Sequence, residues 1–379
     1  MKRIFSVVVF IPIFVFSQQN KEVLFVGNSY TFYNDLPNMV KQIALSFGDT
    51  LNYDQNTPGG ATLQMHSAHT QTLSKISQQQ WDNVIIQCQS QEPSFSVSQV
   101  SNDVFPYAQI LIDSIESNSV CTEPMFFMTW GRKYGDQQNC QFYPPICTYA
   151  GMQQRLRQSY LDMTFNHNAT CSPVGMSWKE SIAQDSALNL YSSDNSHPSI
   201  YGSYLAACTF YATIFKKSAV GSSFWPASID SSTAYILQQI GSNTVLDSLS
   251  TWNIFNADFT YQQTFNGVVS FTNLSSNYES LLWDFGDGQT STDENPQNAY
   301  LNSGDYDVTL YAYTNNSCLV DSFTISINVF INLSVEDQKN NRNLINITDL
   351  LGREIHFKKN SLLLYLFDNG EVEKKIITE

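Results

Sequence analysis

The chain has 379 residues, 42% of them hydrophobic, which excludes a wholly disordered polymer and makes two or three compact units the starting expectation. A formal net charge of −15 argues against nucleic acid, whose phosphates need Lys and Arg to displace their counterions, and against adsorption on anionic membranes. Only 14% of residues are charged while Asn, Gln, Ser and Thr abound, so the surface suits an uncharged polar substrate.

In chain order, Lys2 and Arg3 precede the apolar run Ile4 to Phe16, and Ser17 is a small residue ahead of Gln18-Gln19. This is the grammar of a signal peptide over residues 1–17, and the run is short for a membrane anchor. Export is therefore expected, with no stable membrane insertion of the mature chain. Apolar runs of strand length then appear at Val23–Val26, Val84–Ile86 and Met125–Trp130, with a weaker one at Cys171–Val174. Between them, Leu36, Met39, Val40, Ile43 and Phe47 repeat with a period near 3.6, as do Val104, Ala108, Leu111 and Ile115, and Met152, Leu156, Tyr160 and Met163. Strands alternating with helices predict an α/β unit, a parallel sheet with helices on both faces, over residues 18–254. Ligands of such sheets bind beyond the carboxyl ends of the strands, which puts Gly27-Asn28-Ser29, Gln87-Cys88-Gln89 and Gly131-Arg132 on one rim.

From Asp258 the pattern becomes short strands separated by turns, with Leu281–Phe285 running into Gly286-Asp287-Gly288, so residues 255–332 are expected to form a β-sandwich. Residues 333–379 hold Leu344–Ile347, Leu362–Phe367, the hairpin signal Asp368-Asn369-Gly370 and Lys374–Ile377, a small β module. The chain has seven cysteines and no CxxC pair, so neither a zinc site nor another cofactor is expected. Cys140 and Cys147 flank a Pro-Pro loop and are the best local disulfide candidate; the other five read as small buried hydrophobes.

Ser29 follows a strand and opens a helix. Alone it reads as a helix cap, because a nucleophilic serine needs a base and the base an orienting acid. Of the five histidines, His356 lies in the C-terminal module and His167 in a polar loop. His66 and His69 are three apart on an expected helix, a spacing that suits a metal, but without a nearby carboxylate they read as two solvated histidines. His197 stands out: in "SSDNSHPS" it follows Asp194 by three, a spacing that lets the carboxylate meet Nδ1 while Nε2 faces outward.

"GNSYT" after a strand together with "DNSHPS" before a long apolar helix resembles the SGNH (GDSL-like) hydrolase superfamily. The resemblance implies a flavodoxin-like parallel sheet, the SGNH hydrolase fold. It assigns Ser29 as nucleophile, His197 as base and Asp194 as its orienting acid. The oxyanion hole would be the backbone N–H groups of Ser29 and Gly60 (Gly59 the alternative) with the amide of Gln89 (Gln87 the fallback). Asn28 replaces the usual Asp, and "CQSQEP" replaces the usual Gly-x-Asn-Asp. Asn28, Trp130, Arg132 and Tyr134 would line the substrate rim, with core packing at a strand end the alternative for Trp130. The implied activity is hydrolysis of an ester, with acetyl on carbohydrate the leading substrate. The competing readings are a non-catalytic surface adhesin or glycan-binding protein and a lipase or thioesterase.

The stretch Trp283-Asp284-Phe285-Gly286-Asp287-Gly288, with Asn295-Pro296 and Gly304-Asp305-Tyr306, closely resembles a PKD domain. Its Asp284, Asp287 and Asp293 either bind calcium or simply serve the turns, and turn chemistry is the expected role. "INITDLLGREI" and "LLLYLFDNGEVEKKIIT" resemble a type IX secretion sorting domain, which makes that secretion machinery an expected partner beside a small-molecule or polysaccharide ester.

Overall fold

The computed structural model describes residues 18–264, 267–314, 318, 320–331, 343–355 and 360–376. The expected signal peptide and His356 lie outside them. Five strands, β1 (Asn20–Val26), β2 (Thr50–Asn56), β3 (Asn83–Ile86), β4 (Glu123–Phe127) and β5 (Thr170–Ser172), form one all-parallel sheet in the order β2-β1-β3-β4-β5. The helices between and after them are α1 (Ser29–Phe32), α2 (Leu36–Ser46), α3 (Leu63–Ala68), α4 (Thr70–Ile76), α5 (Val97–Asp103), α6 (Phe105–Asn118), α7 (Tyr149–Asn166), α8 (Val174–Gln184), α9 (Ile200–Phe215) and α10 (Ser231–Leu246).

Alternation along β1 explains the layering. Val23 and Phe25 enter a core with residues of α2, α8, α9 and α10; Leu24 and Val26 enter a second core with residues of α5, α6 and α7. Both faces are thus covered, as a parallel sheet requires. The chain passes from β1 outward to β2, then returns to β3 on the other side. That reversal is the switch point of a doubly wound sheet, and the crevice beyond it lies between the ends of β1 and β3. The expected flavodoxin-like parallel sheet is the observed architecture.

Strand β2 is missing from the sequence reading. Its residues, Thr-Leu-Asn-Tyr-Asp-Gln-Asn, are mostly polar, and only Leu51 and Asn56 are buried because the strand lies at the sheet edge. Cys121 and Cys318 also depart from expectation. They form a disulfide across 197 residues rather than packing as buried hydrophobes, while Cys140 pairs with Cys147 as expected and Cys88, Cys171 and Cys208 are free and buried.

The same compact unit continues to Phe330. Strands β6 (Phe259–Gln263), β7 (Val268–Asn273) and β10 (Gln297–Ala299) make an antiparallel sheet in the order β10-β7-β6. Strands β8 (Ser280–Asp284), β9 (Thr290–Ser291), β11 (Gly304–Tyr313) and β12 (Val320–Val329) make the facing one, in the order β12-β11-β8-β9. Phe259, Phe271 and Trp283 fill the space between them, with Phe259 edge-on to Trp283 at 5.1 Å between centroids. Residues 331–379 form a separate unit, in which β13 (Leu344–Thr348), β14 (Leu362–Phe367) and β15 (Val372–Ile376) pair antiparallel, and Gly370 closes the β14–β15 turn at a φ of 84°.

Candidate active site

The turn after β1 packs its polar groups against buried partners. His66, fully buried on α3, bonds Gly27 O through Nε2 at 2.8 Å. A carbonyl can only accept, so Nε2 carries the proton and Nδ1 accepts from the Thr72 hydroxyl at 2.9 Å. Burial lowers the His66 pKa and keeps the ring neutral, despite the opposing bond to Gly27 O. The expectation that His66 is solvated is therefore wrong; His69 is exposed and meets the Asn56 side chain at 3.1 Å. Gln87 is also fully buried. Its Oε1 accepts the Asn28 N–H at 2.9 Å and the Thr31 hydroxyl at 3.0 Å, and its amide nitrogen donates to Cys88 O. Gln87, the fallback oxyanion donor, thus braces the turn from inside the protein, with one of its two amide N–H groups taken by Cys88 O.

Asn28 is buried too. Its side chain accepts from Tyr30 N at 3.1 Å, capping α1, and donates to Ala61 O at 3.0 Å. It is thus a capping residue and not part of the substrate rim. The same bond fastens the loop of Gly59 and Gly60 beside the turn. Both glycines are exposed, and Gly60 has a φ of 70°.

Ser29 opens α1, and its Oγ lies 2.8 Å from His197 Nε2. His197 Nδ1 lies 2.5 Å from Asp194 Oδ2. Asp194 Oδ1 accepts from the backbone N–H of Ser196 (3.0 Å) and His197 (2.9 Å) and from the Ser192 hydroxyl (2.8 Å). Partial desolvation pushes the Asp194 carboxyl up, but the His197 side chain and these donors outweigh it and hold the group well below the usual carboxylate range. An ionised Asp194 can only accept, so His197 carries its proton on Nδ1 and presents a lone pair on Nε2 to the Ser29 hydroxyl. That tautomer is the one a general base needs. Tyr33 stacks on the His197 ring at 4.8 Å between centroids, and Tyr30 meets it edge-on at 5.4 Å. The Asp194 and His197 side chains are 47% and 28% exposed, so the site opens directly to solvent.

Gln89 is half-buried at the end of β3. Its carbonyl accepts from Gln91 N at 2.6 Å and its amide nitrogen meets Gln91 Oε1 at 3.3 Å. Gln91 in turn donates to the buried Asp136 at 2.8 Å, beside which Arg132 Nη1 lies at 3.5 Å. Arg132 is partly exposed and Tyr134 well exposed, as rim residues must be. Trp130 is not: it is fully buried, stacked between Tyr30 (4.7 Å) and Trp178 (3.9 Å), with Nε1 donating to Ser196 O at 3.0 Å. Its assignment to the rim is withdrawn. Tyr30, Tyr33 and Ser196 went unnoticed in the sequence, although Tyr30 directly follows Ser29, Tyr33 lies one helical turn beyond it and Ser196 directly precedes His197.

In the β-sandwich, Asp284 accepts from Gly286 N and Asp287 from Gln289 N, both at 2.9 Å. These are the bonds of tight turns. Among the described residues, no cluster of His, Cys, Asp and Glu has the arrangement of a metal site.

Residues 253–329 match the family model of the PKD domain. Among curated protein sequences, none matches the chain. Among solved structures, a DUF4886 family protein from Bacteroides uniformis is similar over 60% of this chain and 95% of its own, at 15% identity and a TM-score of 0.52. A candidate SGNH hydrolase from Slackia heliotrinireducens is similar over 52% of this chain and 99% of its own, at 22% identity and a TM-score of 0.43. The PKD1 domain of the Vibrio cholerae metalloprotease PrtV covers 20% of this chain and 95% of its own, at 35% identity and a TM-score of 0.19. At these identities the likeness of the α/β unit speaks for its fold alone.

Proposed function

We propose that the α/β unit is a serine esterase in which Ser29 is the nucleophile, His197 the general base and Asp194 the group that fixes the imidazole tautomer and stabilises its charged form. The observation that carries this reading is the unbroken line from Asp194 Oδ2 through His197 to Ser29 Oγ, at 2.5 and 2.8 Å. His197 takes the Ser29 proton as Oγ attacks the ester carbonyl. The proton passes to the leaving alcohol, and water, activated by the same histidine, then releases the acid. The N–H groups of Ser29 and Gly60, with the Gln89 amide, are the proposed oxyanion donors; removing one such donor costs about 2.7–4 kcal/mol in the transition state.

Two features support a small acyl group on an uncharged polar alcohol such as a sugar. The triad is open to solvent, and its shoulder carries the exposed rings of Phe32 and Tyr33. The PKD domain supports an extracellular setting, and among the described residues no helix is long and apolar enough to cross a membrane. The expected signal peptide and type IX sorting tail belong to the same proposal.

The test is release of p-nitrophenol from acetate, butyrate and palmitate esters by the full chain, beside Ser29→Ala. We expect turnover of the acetate ester and a loss of at least about 10⁴-fold in kcat in the variant. Folded wild type without turnover would overturn the esterase reading. Full activity in Ser29→Ala would overturn the nucleophile, and a preference for palmitate would favour a lipase.

A further inference from the structure

We propose that the Tyr30 hydroxyl and Ser196 form a bridge that sets the distance between Ser29 and His197, so that both act as positioning residues for the triad; the proposal rests on the esterase reading above. The two halves of the triad come from distant segments. Ser29 belongs to the turn after β1, and Asp194 and His197 belong to the loop before α9. A general base on a surface loop is useful only if that loop is held in place, because about 1 Å of misplacement can cost 10²-fold in rate.

The structure fastens the loop at one residue above all. Ser196 uses three groups. Its Oγ lies 2.6 Å from Tyr30 Oη, its carbonyl accepts from Trp130 Nε1 at 3.0 Å, and its N–H donates to Asp194 Oδ1 at 3.0 Å. Tyr30 is the immediate neighbour of the nucleophile, and Ser196 is the immediate neighbour of the base. The bond between them therefore ties one half of the triad to the other without passing through the reacting atoms.

The anchors of this bridge are rigid. Tyr30, Trp130 and Trp178 form a continuous stack with interplanar angles of 3° and 2°, and all three rings are buried. Such a stack leaves the tyrosine hydroxyl little freedom except at the ring edge, where Ser196 sits. The segment beyond β4 adds two further ties: Lys133 N donates to Asn195 O at 3.0 Å, and the Tyr191 hydroxyl donates to Gly131 O at 2.7 Å. Asn195 itself sits at a φ of 59°, a left-handed conformation that asparagine tolerates better than most side chains and that turns the loop between Asp194 and Ser196. Neither the Tyr30 nor the Ser196 hydroxyl contacts Ser29 Oγ or the His197 ring nitrogens, so each acts through the loop.

The test uses four variants of the full chain: Tyr30→Phe, Ser196→Ala, Ser196→Thr and the double variant Tyr30→Phe/Ser196→Ala. Each of the first two deletes one hydroxyl, and the third retains it. The readouts are the rate of Ser29 labelling by a fluorophosphonate, kcat and KM on p-nitrophenyl acetate, and the melting temperature. We expect labelling and kcat to fall about tenfold in Tyr30→Phe and in Ser196→Ala, with KM and melting temperature near wild type. The double variant should be no worse than the poorer single one, since both lose the same bond. Ser196→Thr should recover most of the rate. Labelling of Tyr30→Phe and Ser196→Ala at the wild-type rate would overturn the bridge, as would losses that simply multiply in the double variant or that follow a fall in melting temperature. Wild type that resists the fluorophosphonate would instead overturn the esterase reading, so the two failures are distinguishable.

Discussion

At the scale of single residues, the turn after β1 is braced by a histidine outside the proposed triad. His66 donates to Gly27 O and accepts from Thr72, and both partners are buried with it. Gly27 itself cannot be enlarged, since a Cβ there would lie 2.5 Å from Thr31 Oγ1 and 2.7 Å from Gln87 Oε1. His66→Leu keeps the apolar volume but strips the Gly27 carbonyl of its His66 donor and the Thr72 hydroxyl, which still accepts from Asn56, of its His66 acceptor, so a loss of about 1–3 kcal/mol is expected in chemical denaturation. The pH dependence should change as well. Burial depresses the folded-state pKa of His66 below the ordinary value of about 6.5. Above that value both states are neutral and the group costs nothing. As pH falls through it, the unfolded chain takes up a proton that the folded chain refuses, and wild type loses stability. His66→Leu should lose less between pH 8 and pH 5 than wild type does, and an equal slope in both proteins would refute the assignment. Ser29, Asp194 and His197 could be singled out in the sequence because short local spacings mark them. Sequence reasoning misjudged His66 and Asn28, and left Trp130 open between rim and core, because burial comes from elements far away in the chain: Gln87 and Ala61 enclose Asn28, and Trp178 and Ser196 enclose Trp130.

At the scale of elements, the start of α9 sets the loop that carries Asp194 and His197. Ser199 caps it two residues after His197, accepting from Gly202 N at 3.3 Å. Gly202 lies where the first turn of α9 crosses the end of the preceding loop, and a Cβ there would sit 2.4 Å from both Leu190 O and the Trp178 ring. Trp178 belongs to α8 and stacks on Trp130, so anything that moves it disturbs the stack beneath Tyr30. Gly202→Ala should therefore cost about 1–3 kcal/mol as an overpacked contact and also slow acetate release, whereas an alanine at an ordinary helical glycine is stabilising. A raised melting temperature with unchanged kcat would show that the contact relaxes without reaching the site. The elements themselves were legible to the degree that burial was one-sided or complete. Strands β1, β3 and β4 announce themselves as apolar runs because both faces are covered, and α2, α6 and α7 by their 3.6 period. Strand β2 was not legible, since an edge strand with one buried leucine has the composition of a polar loop.

At the scale of the whole molecule, the α/β unit and the PKD domain are joined by more than a linker. Cys121, just ahead of β4, is bonded to Cys318, just ahead of β12. Nearby, Lys216 at the C-terminal end of α9 pairs with Asp321 at 2.9 Å and donates to Phe255 O at 2.9 Å, while Asp321 also accepts from Ala257 N at 3.1 Å. No local spacing points to a bond across 197 residues, because the pairing exists only once both domains are folded and in contact. All these ties meet the sheet at the starts of its strands, whereas Ser29 follows the end of β1. The staple should therefore govern stability and not catalysis. We expect Cys121→Ala/Cys318→Ala to lower the melting temperature, consistent with about 2–5 kcal/mol for a native disulfide closing a long loop, and to split one calorimetric transition into two as the domains melt separately. Turnover of p-nitrophenyl acetate at 25 °C should stay within about twofold of wild type, because the positions changed lie at the opposite edge of the sheet from the triad. A single unshifted transition would mean that the Lys216–Asp321 contacts alone hold the domains together. A large loss of kcat at a temperature where the double variant is fully folded would mean that the PKD domain reaches the site through the sheet.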